Sequence, residues 1–400
     1  METREVNRPP REGGLDPDDA TQVAASVRAR YSAGAQVRED ELCCPVEYDP
    51  EKLAVLPAEI VERDYGCGDP SRFVREGEVV LDLGSGAGKI CYLAAQVVGP
   101  EGRVVGVDMT PDMLELARRY RGEVAERIGW DVVEFHRGRI EDLALDLDRL
   151  DAWLAEHPVR TVEDLEALEA EKERLRREEP MVADESVDVV LSNCVLNLVA
   201  PGLKPRLFRE VHRVLKRGGR AVISDIVADR EVPEALQRDP ELWSGCISGA
   251  LEERAFLGAF EDAGFHGITV LARQAEPWKV VDGIAFRSVT VAAWKGKEGP
   301  CPDSGRSVIY LGPFREVHDD DGHVFVRGER TPVCDKTADL LGREPYGGAF
   351  AVLDPSGRTE ENGSSCCAPS RESASSCRAP SEEPSPSSCC APQEGGGSCC

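Results

Sequence analysis

The middle of the chain alternates short, almost wholly apolar runs with stretches of helical periodicity, and no other feature constrains the fold as much. From Glu78 onward the apolar runs are EVVLDLG, RVVGVDM, VVEFHRGRI, SVDVVLSNC and GGRAVISDI. Strands made of Val, Ile and Leu and separated by helices are typical of a parallel sheet that is covered on both faces. The pattern predicts an α/β fold, with HGITVLA and RSVTVAAW as an antiparallel pair at one edge.

A glycine-rich turn joins the first of these strands to the first helix. Glycines at such a turn let a ligand approach the backbone, and the free amides of the helix N-terminus can hold an anionic group. The spacing differs from the dinucleotide fingerprint G-x-G-x-x-G, because position 89 is Lys. The candidate contacts in the turn are Gly84, Ser85, Gly86 and Gly88.

Two carboxylates flank this turn and indicate the kind of ligand. Asp108 ends the second strand, where it can accept hydrogen bonds from ribose hydroxyls, and Asp82 precedes the glycines, where it suits an amino group. A nucleoside with an amino-acid tail fits this pair better than NAD does. The segment resembles the seven-stranded, Rossmann-like class I methyltransferases that use S-adenosylmethionine. The resemblance implies further cofactor contacts at Met109, Ile140 and Glu141 around the adenine and at Asn193 beside the methionine moiety.

Cysteine is unusually frequent, with 15 residues in 400. No apolar leader or membrane-spanning run is apparent, so we expect a cytoplasmic chain in which cysteines act as ligands or redox groups. Eight are scattered between Cys43 and Cys334, and seven crowd between Cys366 and Cys400. Cys194 directly follows the fourth strand, at the edge of the sheet where such folds bind ligands.

Several runs together resemble one narrower family. YGCG, VLDLGSGAGKICYLAAQVVG, VVGVDMTPDML, SNCVLNLV, LKRGGRAVISDI and LWSGCISGAL are similar, in order, to the arsenite S-adenosylmethionine methyltransferases over roughly residues 40 to 350. The resemblance implies that three cysteines bind trivalent arsenic, namely Cys67, Cys194 and Cys246. It also implies that Cys43 or Cys44 takes part in a redox step. The adjacency of these two leaves the identity of the redox thiol open.

The chemistry that this resemblance implies is methyl transfer to arsenic. Three thiolates around arsenic leave a lone pair that can attack a sulfonium methyl, and this nucleophile has no proton for a general base to remove. Methylation oxidises arsenic formally from the trivalent to the pentavalent state. A pair of thiols that closes to a disulfide can return two electrons. We expect Cys43 or Cys44 to pair with Cys67, with arsenite and methylarsenite as substrates and thioredoxin or glutathione as the recycling reductant.

The composition excludes some classes of partner. The formal charge is −26 at pH 7, so nucleic acid and anionic membrane surfaces would be repelled. Two other functions remain open. One is a class I methyltransferase that acts on carbon or oxygen of a small metabolite and uses a general base. The histidine nearest in sequence to the fourth and fifth strands, His212, is the candidate for that base. The other is a thiol-rich buffer for soft metals.

The expected domain organisation follows the changes in pattern. We expect an N-terminal helical arm or lid with the redox cysteines, including a helix over 19–31 that buries Val23, Ala24, Val27 and Tyr31. A small β-rich domain and a disordered tail of Ser, Pro and Cys should end the chain. The predicted segments are the arm at 1–75, the methyltransferase domain at 76–298 with an insertion of two acidic helices at 141–180, the C-terminal domain at 299–354 and the tail at 355–400.

Overall fold

The computed structural model describes residues 14–39 and 46–355 and the backbone of Glu5–Val6. Cys43 and Cys44 lie outside these residues, as does the segment 356–400, which holds almost all of the predicted tail. Within the described part of the chain, no helix combines the length and apolarity needed to cross a membrane. The chain divides into two compact units between Glu298 and Gly299.

The first unit contains a mixed sheet and the helices that surround it. Its strands are β1 Glu5–Val6, β2 Val79–Leu83, β3 Arg103–Asp108, β4 Val133–Arg137, β5 Val187–Asn193, β6 Leu215–Ala228, β7 His266–Arg273, β8 Lys279–Val281 and β9 Ile284–Trp294. Its α-helices are α1 Ala20–Gln36, α2 Pro50–Val55, α3 Ala58–Glu62, α4 Lys89–Val98, α5 Pro111–Ile128, α6 Leu147–Glu156, α7 Val162–Glu178, α8 Lys204–Val214, α9 Glu234–Gln237, α10 Pro240–Ser244 and α11 Glu253–Asp262.

Seven strands form the body of the sheet, in the order β7-β9-β6-β5-β2-β3-β4. Strands β2 to β6 run parallel to one another, whereas β9 runs antiparallel to both β6 and β7. The short strands β8 and β1 extend the sheet beyond β9. The predicted Rossmann-like α/β fold and its antiparallel edge pair are therefore confirmed.

Alternate side chains of each strand enter two separate cores. Val80 of β2 packs with α4 and α5 on one face, and Leu81 packs with α8 and α11 on the other. Both residues are fully buried. This arrangement explains why the parallel strands read as continuous apolar runs, since each strand must cover two faces.

Apart from β1, the regular elements in the described part of the N-terminal arm are helices, and the insertion is helical as well. Asp19 caps α1 by accepting hydrogen bonds from the amides of Thr21 and Gln22, and the helix runs five residues past the predicted end at Tyr31. The insertion forms α6 and α7, whose Leu side chains pack into a small cluster of their own. Asp142, at the base of the insertion, accepts hydrogen bonds from the guanidinium of Arg176 on α7.

The second unit is β-rich, as predicted, and includes a helix that the sequence pattern did not indicate. Its elements are β10 Ser307–Tyr310, β11 Glu316–His318, β12 Val324–Val326, β13 Arg330–Pro332, α12 Asp335–Leu341 and β14 Phe350–Leu353. Strands β13, β10 and β14 form an antiparallel sheet in that order, and β11 pairs with β12. Val308, Tyr310, Phe325 and Phe350 fill its core.

Candidate active site

A cleft opens at the carboxyl end of the sheet, beside β2 and β5. These strands are neighbours but lead to helices on opposite faces, and open α/β sheets bind ligands at such a point. The cleft encloses about 970 Å³ including its open mouth, within the ~300–1,000 Å³ range of small-molecule sites. Its lining includes ten predicted residues: Asp82, Gly84, Ser85, Gly86, Asp108, Met109, Ile140, Glu141, Asn193 and Cys194.

The turn between β2 and α4 uses three glycines in left-handed conformations. The φ angles of Gly84, Gly86 and Gly88 are +64°, +51° and +89°. A Cβ atom on Gly86 would meet nothing within 4 Å, so this position faces the open cleft. A Cβ atom on Gly88 would lie 2.8 Å from the Phe135 ring, and Gly88 caps α4 instead of lining the cleft. Gly88 therefore shapes the turn, and Gly84 and Gly86 border the ligand space.

The two predicted carboxylates lie buried in the cleft wall. Asp108 accepts hydrogen bonds from the amides of Gly86 (2.9 Å) and Thr110 (2.7 Å), which aim its carboxylate at the turn. Asp82 accepts one from the Cys91 thiol at 3.2 Å. Burial raises the pKa of Asp82 to about 8 and also raises that of Asp108. A cationic amino group beside Asp82 would favour its ionised form, so this pair fits a nucleoside with an amino-acid tail.

Three further predicted residues follow β3 and β4, which are neighbours in the sheet. Met109 comes directly after β3, and Ile140 and Glu141 come shortly after β4. Glu141 is buried and pairs with the guanidinium of Arg139 at 2.5 Å. All three reach the same cleft because parallel strands end at one edge of the sheet. Their contact with adenine stays a prediction.

Asn193 lines the cleft and also holds the loop that contains Cys67. Its Oδ1 accepts hydrogen bonds from the amides of Cys67 (2.9 Å) and Gly68 (3.1 Å), and its Nδ2 donates to the Gly68 carbonyl (2.9 Å). A Cβ atom on Gly66 would lie 2.2 Å from that Nδ2. The YGCG run therefore needs glycine for the loop to approach Asn193. No local pattern in the sequence indicates this role.

Cys67 and Cys194 lie side by side with a buried carboxylate. The ligand atoms of Cys67, Cys194 and Asp225 all fall within 4.8 Å of one another. Each residue is at most 6% exposed. Asp225 accepts hydrogen bonds from the amides of Leu196 and Ile226, both at 2.8 Å, and burial raises its pKa to about 6. Sequence reasoning missed Asp225, although its place on the fifth apolar run could have indicated it.

Cys246, the third predicted arsenic ligand, contacts Cys194 through the backbone. Its Sγ donates a hydrogen bond to the Cys194 carbonyl at 2.9 Å. Its own carbonyl accepts one from Asn197 Nδ2 at 3.3 Å. Cys246 is 4% exposed and belongs to the same apolar cluster as Cys67 and Cys194. The structure thus brings the three distant cysteines into one buried region beside the cleft.

Cys194 and Cys246 both adopt left-handed backbone conformations, with φ of +65° and +60°. Residues other than glycine rarely adopt this conformation, which costs about 1–3 kcal/mol for each residue. Hydrogen bonds from the Cys194 amide to Ser224 O (2.7 Å) and from the Cys246 amide to Trp243 O (3.0 Å) hold these conformations. A strained backbone conformation persists only where the surrounding structure enforces it, and such conformations concentrate at functional sites.

Helix α1 forms a wall of the cleft. Val23 and Val27 are buried, Ala24 and Tyr31 are half-buried, and all four line the cleft. The cleft is also lined by three residues of the segment that leads to Cys67, which were not predicted from the sequence: Arg63, Asp64 and Tyr65.

The histidine that was considered as a general base lies away from the cleft. His212 faces Glu298, with Nε2 2.6 Å from the carboxylate, and packs edge-on against Phe265. No histidine of the described segments lines the cleft, so a histidine base for carbon or oxygen methylation finds no support. Cys91 is fully buried in α4.

Family models match both parts of the chain. A model described as a methyltransferase domain matches residues 75–179 and 163–264. A model described as a domain of unknown function, DUF8838, matches residues 297–383.

Known proteins resemble the chain over most of its length. The arsenite methyltransferase of Aquipseudomonas alcaligenes is 34% identical, over 79% of this chain and 86% of that protein. The human arsenite methyltransferase is 30% identical, over 80% of this chain and 78% of that protein. The crystal structure of an arsenic(III) S-adenosylmethionine methyltransferase from Chlamydomonas reinhardtii superposes with a TM-score of 0.52 at 28% identity, covering 80% of this chain and 99% of that one. With this similarity and this fold, the chain belongs to the arsenite methyltransferase family of S-adenosylmethionine-dependent enzymes.

Proposed function

We propose that this protein methylates trivalent arsenic held by Cys67, Cys194 and Cys246. One observation supports this most directly: Cys194 lines the cleft that fits the methyl donor, and its Sγ lies within 4.8 Å of the Cys67 Sγ. A thiol in the wall of the cleft, with a second thiol beside it, suits a soft substrate, because thiolates prefer soft acceptors. Relatives named as arsenite methyltransferases support the same substrate.

Binding requires no outside reactant. Each thiol gives its proton to one hydroxide of arsenous acid, so an As–S bond replaces an As–O bond and one water leaves. After three such exchanges, arsenic keeps a lone pair opposite its three sulfurs. The chain's part is to orient this lone pair toward the cleft and to exclude water, which the burial of all three cysteines favours. Such positioning contributes up to ~7–11 kcal/mol to a two-substrate reaction.

S-adenosylmethionine supplies the methyl group as an electrophilic carbon on a sulfonium. Asp82 would hold its amino group, Asp108 would hold its ribose, and Gly86 leaves room for the backbone approach. The cleft needs no general base, because the arsenic lone pair bears no proton. This requirement agrees with the absence of histidine from the cleft lining in the described segments.

Methyl transfer oxidises arsenic formally from the trivalent to the pentavalent state, and two thiols would return the two electrons. We propose that Cys43 or Cys44 closes a disulfide with Cys67, and that thioredoxin or glutathione reopens it. In a single turnover without reductant, the Cys43→Ser/Cys44→Ser double variant should still consume one methyl group. With reductant present, the wild type should turn over repeatedly, whereas the double variant should not. The two single variants identify the redox thiol, since only one of them should behave like the double variant.

The direct test of the function is product analysis. The protein is incubated with arsenite, methyl-labelled S-adenosylmethionine and a thiol reductant, and arsenic species are separated. Labelled methylarsenicals are expected. Their absence, with S-adenosylhomocysteine still formed from an organic acceptor, would replace this proposal by methylation of carbon or oxygen. Their absence with arsenic retained only by the protein would favour a thiol buffer.

A further inference from the structure

Helix α1 contacts both halves of the proposed site. One face, which includes Val23 and Val27, lines the methyl-donor cleft. On its last turns, Arg30 Nη1 donates hydrogen bonds to the Glu241 carbonyl (2.7 Å) and to Ser244 Oγ (3.1 Å). Those two acceptors lie on α10, just before Cys246. The cleft wall and the segment that leads to Cys246 are therefore joined.

Tyr31 lies where these two parts meet. It lines the cleft, and its ring packs edge-on against Tyr65, with centroids 6.0 Å apart. Its hydroxyl lies 3.9 Å from the Cys246 Sγ, a contact between residues 215 positions apart in sequence. The tyrosine thus borders the methyl-donor space with its ring and the third thiol with its hydroxyl.

Arsenic binding changes which hydrogen bonds the Cys246 sulfur can make. As a thiol, Cys246 donates to the Cys194 carbonyl at 2.9 Å. Once arsenic replaces the thiol proton, the sulfur can only accept a hydrogen bond. The Cys194 carbonyl, also an acceptor, is then no longer a partner. The Tyr31 hydroxyl can donate and stands 3.9 Å away, so its contact remains favourable in the arsenic-bound state.

We propose that Tyr31 is a positioning residue that holds the arsenic-bound sulfur of Cys246 and thereby couples occupancy of the methyl-donor cleft to arsenic capture. This inference rests on the proposed function. A methyl donor under α1 restrains Tyr31, and a restrained Tyr31 favours the arsenic-bound position of Cys246. Coupling of this kind is reciprocal, so each substrate should tighten the binding of the other.

The test is a two-substrate kinetic grid, in which the rate of methylarsenical formation is measured over a range of arsenite and S-adenosylmethionine concentrations. In the wild type, saturating S-adenosylmethionine should lower the arsenite KM at least about fivefold. The coupling ratio is the arsenite KM extrapolated to zero S-adenosylmethionine divided by the arsenite KM at saturating S-adenosylmethionine. In Tyr31→Phe, which keeps the ring, this coupling ratio should fall to within about twofold of unity. The arsenite KM at saturating donor should rise about fivefold, while the S-adenosylmethionine KM extrapolated to zero arsenite stays within twofold.

Two further variants sharpen this result. Tyr120→Phe removes another half-buried hydroxyl, one that bonds to Glu59 outside the cleft, and should match the wild type. Arg30→Met removes the link to α10 and should lower the coupling ratio in the same direction as Tyr31→Phe. Thermal melting of each variant checks that it is folded.

Wild-type coupling in Tyr31→Phe would overturn the positioning role and leave the proposed function standing. Equal increases in both KM values would also overturn it, since a purely structural defect has that effect. A wild type that forms methylarsenicals without any substrate coupling would overturn it as well. Only a wild type that forms no methylarsenicals at all would remove the proposed function itself.

Discussion

The Cys246 Sγ donates a hydrogen bond to the backbone carbonyl oxygen of Cys194 at 2.9 Å, although the two residues are 52 positions apart in sequence. Both are buried and both adopt left-handed φ angles. The hydrogen bond uses the proton that arsenic would displace. The unliganded cysteines therefore stabilise each other's positions through a contact that substrate binding removes.

Cys246→Ser should abolish arsenic turnover without disturbing the fold. A serine hydroxyl can donate to the same Cys194 carbonyl, but its oxygen is a hard, weak ligand for arsenic. We expect kcat/KM for arsenite to fall at least about 100-fold, with S-adenosylhomocysteine affinity within about twofold of wild type. Cys334→Ser is the matched control, because it replaces another buried cysteine, at the N-cap of α12, where serine is favourable. Comparable turnover in Cys246→Ser and wild type would contradict the ligand assignment.

Binding of the methyl donor should depend on pH through Asp82. Its folded-state pKa, raised by burial to about 8, exceeds the unfolded value of ~3.9. The stability that this carboxyl contributes to the unliganded protein is therefore present below about pH 4 and is lost as the pH rises through about 8. A bound ammonium group requires the ionised form, so S-adenosylhomocysteine binding should release a proton at pH 6–7 and tighten toward pH 8.

Isothermal titration calorimetry of S-adenosylhomocysteine binding, carried out in buffers of different ionisation enthalpy, measures this proton release. Proton release should be seen in the wild type and should vanish in Asp82→Asn, whose affinity should also be lower and nearly independent of pH over this range. The same pH slope in both proteins would exclude Asp82 as the partner of the amino group.

Asn193→Ala should displace Cys67. The variant leaves the amides of Cys67 and Gly68 without their acceptor, which should cost about 1–3 kcal/mol of unfolding free energy. Arsenite kcat/KM should fall at least about tenfold, because the loop no longer has a fixed position. Gln96→Ala is the control, since that amide bonds to Lys52 and Tyr92 carbonyls outside the cleft. Urea unfolding and initial rates measure both effects, and an active Asn193→Ala would refute the positioning role.

The stability of the insertion helices α6 and α7 should not affect turnover at the active site. Leu175→Ala removes a buried side chain from the cluster between α6 and α7 and should destabilise these helices by about 2–3 kcal/mol. Since no residue of α6 or α7 lines the cleft, arsenite kcat/KM should stay within about twofold of wild type. Hydrogen exchange of the two helices measures the loss, with the exposed Leu165→Ala as a variant expected to change stability by less than about 0.5 kcal/mol. A large loss of turnover would instead place the insertion in the catalytic unit.

The parts of the fold that could be predicted are those with a local signal. Strands β2 to β6 appear as apolar runs because two cores require apolar residues on both faces, and the paired helices of the insertion appear as leucines three or four positions apart. The predicted end of α1 is too early because Ser32, Ala33 and Gly34 show no apolar periodicity, although Gly34 and Ala35 are buried. Asp225 was missed because a single carboxylate at the end of a strand run has no distinguishing spacing.

Local sequence patterns were sufficient to predict the parallel sheet and the glycine turn with its two carboxylates, and the family resemblance singled out the cysteines. These features depend on residues that are close in the chain or on motifs that survive as short runs. Two long-range contacts became visible only in the folded chain: Asn193 holds the Cys67 loop, 126 positions away, and Tyr31 reaches Cys246 across 215 positions. Contacts of this kind depend on which strand ends and helices the folded sheet brings together, and no local periodicity encodes them.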